Sequence, residues 1–439
     1  MTRGTGRHLL ATSLRSLKVR NFRLFAVGQI ASATGTWMMA VAQDWLVLEL
    51  TGDSGGALAT VTALQFTPVL LLTLYGGRLA DRYDKRALLT GANIASGVFA
   101  LALGLLVTAD AARLWHVYVA AAALGVANAV EVPARLSFIT ELVGPELLPN
   151  ASALSGAYFN IARVLGPSLA GLLIQWSGTG TVMLLNAISY TATVAGLSAM
   201  RPAELHRAPR TGTPARVMEG LAHLRTRPDL LTTLGLVAAV ALFGLNLPLT
   251  LPLMARVVFH TEAASFGFLT AALAGGSLLA ALVGTLRRTR PSARLVAAWG
   301  CAFGALELIT GCAPNLPVAL ALLVPTGFAS LYFVQAANHR IQLGGDPVHR
   351  GRVMALYTVI LQGSTPLGAL FVGAATHTLG ARSGLWTGGL IALIAALVAL
   401  AGARADAPAR LPTRSGPGRR AAVRKASGRM SVGCGCMGA

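Results

Sequence analysis

Apolar runs of about 20 residues, separated by short polar breaks, recur along the chain from Leu24 to Ala401. A helix rises ~1.5 Å per residue, so such a run matches the hydrocarbon thickness of a bilayer, and it is too long and too continuous for the core helix of a soluble fold. Twelve spans are predicted: Leu24 to Leu48, Gly55 to Tyr75, Ala87 to Thr108, Trp115 to Pro133, Ala151 to Trp176, Val182 to Met200, Leu230 to Val258, Phe266 to Leu286, Leu295 to Cys312, Pro317 to Ala336, Met354 to Thr378 and Ser383 to Ala401. The even count puts both termini on one side. The longest interior polar segment, 201–229, then reads as a linker between six-helix bundles at 24–200 and 230–401, with polar ends at 1–23 and 402–439. Internal similarity in the same order supports two related halves: Pro133-Ala-Arg135 precedes Gly166-Pro167-Ser-Leu-Ala-Gly171, and Asn338-His-Arg340 precedes Ser364-Thr365-Pro366-Leu-Gly368. The predicted fold is an all-α membrane protein of twelve transmembrane helices in two pseudo-symmetric six-helix halves.

Composition agrees. The chain is 54% hydrophobic with only 12% charged residues and a mean hydropathy of +0.63, whereas soluble domains carry charge on roughly a quarter of positions. A net charge of +20 would suggest nucleic acid on a soluble domain. Here 32 of the 36 Lys and Arg fall in the segments on the same side as the termini. The positive-inside rule places that side in the cytoplasm, where the excess charge meets anionic lipid headgroups rather than nucleic acid. The first 23 residues are too polar for a secretory signal, and the Pro-, Gly- and Arg-rich tail is expected to be disordered and cytoplasmic. The 33 Arg against 3 Lys, with abundant Ala and Gly, point to a bacterial GC-rich genome.

Several chemistries are excluded. The three lysines, Lys18, Lys85 and Lys425, are followed by Val, Arg and Ala, so no phosphate-binding loop is present and no nucleotide is expected. None of the eight histidines precedes Glu, which removes the zinc-protease pattern. Gly52-Asp-Ser54-Gly-Gly56 matches a nucleophile elbow by letters only, since no strand precedes it. Cys301 and Cys312 share one span about 16 Å apart and cannot pair. Cys434 and Cys436 lack the further ligands that zinc requires, so no metal or cofactor is expected. The energy source left is an ion gradient or the gradient of the solute itself.

Gly77-Arg-Leu-Ala-Asp-Arg-Tyr-Asp-Lys-Arg86 packs six charges between two apolar spans. It resembles the signature loop of the major facilitator superfamily at Gly77, Asp81, Arg82 and Arg86, with Asp84 where the family usually has Gly. The resemblance covers nearly the whole chain. Asn21-Phe-Arg-Leu-Phe25, Trp45-Leu-Val-Leu, Glu141-Leu-Val-Gly144 and Asn160-Ile-Ala-Arg163 look like the drug:proton antiporter branch that includes the enterobactin exporter and macrolide efflux pumps. Gly166-Pro167-Ser-Leu-Ala-Gly171 resembles that branch's fifth-helix antiporter motif, with Ala170 in place of one glycine. The resemblance implies a gating role for Gly77, Asp81, Arg82 and Arg86. On physical grounds Asp81 is expected at a helix start, accepting its free N–H groups.

Gly156, Asn160, Arg163, Pro167 and Gly171 recur every three or four residues and line one helical face, which suits close packing as well as gating. Arg163 falls near mid-bilayer and needs a partner among the few acids in spans, Asp44, Glu131 and Glu307. Glu131 stands four residues before Arg135, so a local pair is the plain alternative. Asp44 and Glu131, with Arg135 and Arg163, are therefore the candidates for proton coupling or a buried ion pair. Gln29, Thr36 and Gln43 repeat every seven residues, Asn246 sits beside Pro248 and Pro252, and Asn128, Asn160, Gln335 and Gln362 add further polar groups. Together they describe an apolar cavity with scattered hydrogen-bonding groups, although each alone could serve helix packing.

These features predict a monomeric secondary transporter that exports a small amphipathic compound by alternating access, with protons as the counter-ion. A lipid flippase, an uptake carrier of the same fold and, further off, a membrane enzyme are the alternatives. Packing of Gly166 and Pro167 against the second half would favour export over uptake.

Overall fold

A computed structural model describes residues 15–206, 227–285, 289–344 and 350–403, all of them helix or short connection. Cys434, Cys436 and the tail lie outside this range. The helices are α1 (Arg20–Thr51), α2 (Gly55–Arg82) and α3 (Lys85–Thr108), then a continuous run Leu114–Ser198 broken by positive φ at Gly144 (71°) and Gly178 (79°). Only glycine enters that region without strain, and the breaks divide the run into α4 (114–143), α5 (145–177) and α6 (179–198). There follow α7 (Pro228–Val258), α8 (Ala263–Thr285), α9 (Ala293–Gly311), α10 (Leu316–Gly344), α11 (Arg350–Leu379) and α12 (Ser383–Gly402). Twelve helices thus lie along the described residues.

Local chemistry sets the ends. Gly52 in the left-handed region closes α1, and the Ser54 side chain accepts from Ala57 N (3.2 Å) to open α2. The serine of the nucleophile-like string is a helix cap. α7 is irregular: π-turns at Val240–Gly244 and Met254–Val258 flank a segment holding Pro248 and Pro252, where absent N–H groups break the regular ladder.

The helices overrun several predicted spans. Pro133 lies inside α4, which continues to residue 143, so the predicted loop before Ala151 shrinks to a turn at Gly144. α10 continues past Ala336 to Gly344, placing Asn338 and Arg340 on a helix. The charged loop shrinks most, because α2 runs through Asp81 to Arg82 and leaves only Tyr83 and Asp84 outside helix. Asp81 therefore does not open a helix. Asp84 does, its Oδ1 accepting from Arg86 N at 3.0 Å.

Close backbone approaches repeat in the two halves. A Cβ at Gly76 or Gly125 would strike the carbonyl of Ala129 or Gln65, and one at Gly276 or Gly327 that of Val324 or Leu273. The α2–α4 contact is thus reproduced by α8–α10. Gly104 against Leu184 (α3–α6) likewise recurs as Gly304 against Leu393 (α9–α12), and Gly166 against Trp37 (α1–α5) as Gly368 against Leu242 (α7–α11). Each glycine's counterpart lies 200 to 202 positions further on. Between halves, α2 packs on α11 and α5 on α8.

Candidate functional site

The ends of the bundle are named here for Asp53, in the α1–α2 connection, and Lys85, at the start of α3. The halves are joined tightly at the Asp53 end. Asp53 Oδ1 meets Arg256 Nε at 2.5 Å, and the Arg256 guanidinium lies over the Trp45 ring at 5.1 Å. Trp45 stacks on Phe266 of α8 at 6.4 Å, and Gln175 donates to Glu262. Below them α5 lies backbone to backbone on α8, where a Cβ at Gly171 would be 2.7 Å from Ala263 O and one at Gly267 2.4 Å from Pro167 O. The last polar link is Arg163, whose Nη2 donates to Ser277 Oγ at 3.1 Å. Ser277 in turn donates to Leu273 O and Gly327 O.

The hydrogen bonds, ion pairs and ring contacts between the halves given above lie from Arg163 to the Asp53 end. Towards the Lys85 end a side chain added at Gly156 or Gly77 would meet nothing within 4 Å. Among the described residues, the side-chain links between the halves gather at the Asp53 end, and open space lies beside Gly77 and Gly156.

A polar and aromatic wall from the first half faces this open space. Glu131 pairs with Arg135 at 3.0 Å, and Arg135 lies 5.6 Å from the Phe159 ring centroid. Phe159 meets Trp37 edge to face at 6.0 Å, and Arg163 lies 5.9 Å from the Trp37 centroid. Thr36 Oγ1 donates to Ser32 O and lies 3.4 Å from Tyr190 OH. Arg163 brings a guanidinium to this wall. Its partners here are a hydroxyl and a π face, not the acid expected for it.

The other candidates divide. Asn160, next to Phe159 and one turn from Arg163 on α5, donates from Nδ2 to Gly156 O, and Asn160 and, on α4, Asn128 are half-buried. Gln362 is exposed, whereas Gln29 and Gln43 are buried in α1, and Gln43 Nε2 has no hydrogen-bond partner among the described residues. Asn246 is turned into its own helix, donating to Leu242 O at 2.8 Å. Gln335 packs against α8, its Oε1 2.1 Å from where a Gly284 Cβ would lie. Of the antiporter-motif residues, Pro167 and Gly171 meet α8 in the second half, but Gly166 meets Trp37 in its own half. Asp44 is half-buried on α1, two turns from Trp37 towards the Asp53 end.

In the charged loop Gly77 is partly exposed and Asp81 and Arg82 are exposed, with Arg82 over the Tyr83 ring at 5.8 Å. Lys85 and Arg86 are tied within the first half, to Glu141 (2.5 Å) and to Ser198 O (3.0 Å). A separate cavity of about 510 Å³ at the Asp53 end, lined by Leu46, Glu49, Thr108, Asp110 and Ile174, belongs to the first half alone.

Trp37, Phe159, Tyr190, Ser277 and the Asp53–Arg256 pair were not among the expected site residues. A tryptophan or phenylalanine in a span reads as core, and no spacing rule joins Asp53 to a residue some 200 positions away.

The family model described as transmembrane secretion effector matches residues 11–429. The multidrug efflux pump Tap of Mycobacterium tuberculosis is 27% identical over 373 residues, 81% of this chain and 87% of its own. The staphyloferrin A transporter of Staphylococcus aureus is 27% identical over 57% of this chain and 63% of its own. Among solved structures, an inward-facing bacterial homologue of the human lysosomal transporter Spinster aligns with a TM-score of 0.65 at 16% identity, covering 87% of this chain and 95% of its own. The nucleoside transporter NupG aligns at 0.69 and 10%, covering 87% and 98%. At these identities the two structures establish the fold alone.

Proposed function

The chain belongs to the transmembrane secretion effector family of major facilitator transporters, and from that membership we propose that it exports small amphipathic compounds from a bacterial cytoplasm by proton antiport. The observation that carries the reading is the distribution of contacts between halves. Among the described residues those given run from the Asp53 end to Arg163, which leaves the Trp37–Phe159 wall facing the Lys85 end. With that end in the cytoplasm, as the Lys and Arg distribution predicts, this is the state in which an exporter loads. Multidrug efflux and staphyloferrin A transport in the names of relatives support a small-molecule cargo.

The wall suits a flat apolar body carrying a hydrogen-bond acceptor. Trp37 and Phe159 offer ring surface, and Arg163 has donors beyond the one given to Ser277. For the proton, Asp44 is the α1 acid nearer the wall, and no ion pair is seen for it among the described residues, whereas Glu131 is held by Arg135. Rocking the halves would separate Asp53 from Arg256 and Trp45 from Phe266, and open the wall to the far side.

The test is transport by purified protein in proteoliposomes, with Hoechst 33342 as the flat amphipathic probe and an imposed pH gradient, alongside Asp44→Asn and Glu131→Gln. Dye movement should follow the gradient in the wild type and lose that dependence in Asp44→Asn. Dye movement that ignores the gradient in the wild type would end the antiport reading, and gradient-driven entry in the opposite sense would replace export by uptake.

A further inference from the structure

Glu307 lies away from the wall, in α9 of the second half, and is 1% exposed. Its Oε2 has no hydrogen-bond partner among the described residues. The carboxyl fills space left by two missing side chains. A Cβ at Gly244 of α7 would stand 3.2 Å from Oε2, and one at Gly388 of α12 would stand 3.1 Å from Oε1 and 2.5 Å from Phe243 O. Gly244 ends the π-turn Val240–Gly244, so the acid abuts the most irregular stretch of α7.

Among the described residues, no cation answers it. α12 carries no titratable side chain. On α10, Tyr332 sits among Trp299 and Phe328, Arg340 donates to Thr233 and Pro291 O, and His339 is beside it. On α7, Asp229 pairs with Arg227 and Arg290, and Arg256 with Asp53. On α9 itself, Cys301 is six residues back, and Arg294 is thirteen residues back, about 20 Å along the helix. With neither cation nor donor among the described residues, an ionised carboxylate in such a seam is strongly disfavoured.

We propose that Glu307 is a proton-binding site of the transport cycle, still carrying its proton when the Asp53 end is shut, and that the π-turn of α7 is the element through which cargo unloads it. This rests on the antiport reading. The turn has a second side: Phe243 meets Phe371 of α11 edge-on at 4.9 Å, and Asn246 just beyond packs on Gly368 of α11. Cargo seated against α7 and α11 displaces residues that also seal Glu307, and π-turns mark places where a helix changes its winding. Once water enters, the carboxyl O–H bond breaks, the electron pair stays on the carboxylate and the proton passes to water at the Lys85 end. When the halves open at the Asp53 end, the carboxylate takes a proton from that side, which completes one exchange.

Two measurements on the full-length protein test this. Infrared spectra in lipid vesicles should show a protonated carboxyl C=O stretch in the wild type at neutral pH that is missing in Glu307→Gln. In proteoliposomes, Glu307→Gln should still exchange Hoechst 33342 without a pH gradient, which shows that it folds, but should lose the roughly fivefold or greater acceleration that the gradient gives the wild type. Glu307→Asp, which keeps a titratable group, should regain part of it. A Gln variant that follows the gradient like the wild type, or an unchanged infrared band, overturns the inference and leaves antiport standing. A wild type indifferent to the gradient overturns both, whatever the band shows.

Discussion

At the scale of single residues, Arg163 and the two aspartates of the charged loop give the sharpest expectations. A charge at mid-membrane costs at least ~2.5 kcal/mol, and Arg163 has only Ser277 and the Trp37 face to offset it. Arg163→Gln should therefore leave the melting temperature unchanged or raised while dye transport falls about tenfold, a separation expected of a residue kept for function. A large fall in both would make it structural. Asp84 caps α3, so Asp84→Ala should cost about 1 kcal/mol of stability, whereas Asp81→Ala, on the exposed last turn of α2, should stay within about 0.5 kcal/mol. Thermal melts of the two variants decide which aspartate is the cap. The sequence showed that this loop holds acids among its cations, but not which one begins the helix. Helix propensity ran on through Asp81, and the choice depended on where α2 stopped. Likewise the Glu131–Arg135 pair was legible because it is local, whereas the Ser277 partner of Arg163 comes from another half and no periodicity announces it.

At the scale of helices, the α5–α8 contact depends on absent side chains. Gly267→Leu would drive its first carbon to within 2.4 Å of Pro167 O, and since that contact belongs to the shut Asp53 end, the variant should favour the opposite conformation. Cysteines placed at Trp45 and Phe266 in this background should react faster with an impermeant maleimide than in the parent; equal rates would mean that α8 yields instead. Gly276→Val tests the contrast, because its clash with Val324 O lies inside one half and should lower yield rather than shift conformation. Twelve apolar runs were readable from hydropathy, yet their ends were not. α4 and α10 continue as helix well beyond the apolar stretch, because polar residues form helix as readily as apolar ones once they leave the lipid.

At the scale of the molecule, the closed end is held by a partly exposed ion pair and stacked rings. Asp53 and Arg256 keep about a third of their side-chain surface in contact with solvent, so the pair is worth ~1 kcal/mol at most. Asp53→Arg should shift the conformational balance towards the open Asp53 end by roughly fivefold, and the exchange Asp53→Arg with Arg256→Asp should restore it. Spin-label distances between α1 and α7 give the readout, and a swap that behaves like the single change would remove the pair from the mechanism. The twofold repeat was faintly visible as short motifs. In three dimensions it is carried by glycines 200 to 202 positions apart, which a motif search passes over because each is a single letter. Symmetry of packing is not symmetry of mechanics, however. α4, α5 and α6 are joined by turns centred on Gly144 and Gly178, which leave no slack, while α7 contains two π-turns and two prolines. On the transport reading proposed above, α7, with its two π-turns, is where bending during each stroke is expected to concentrate.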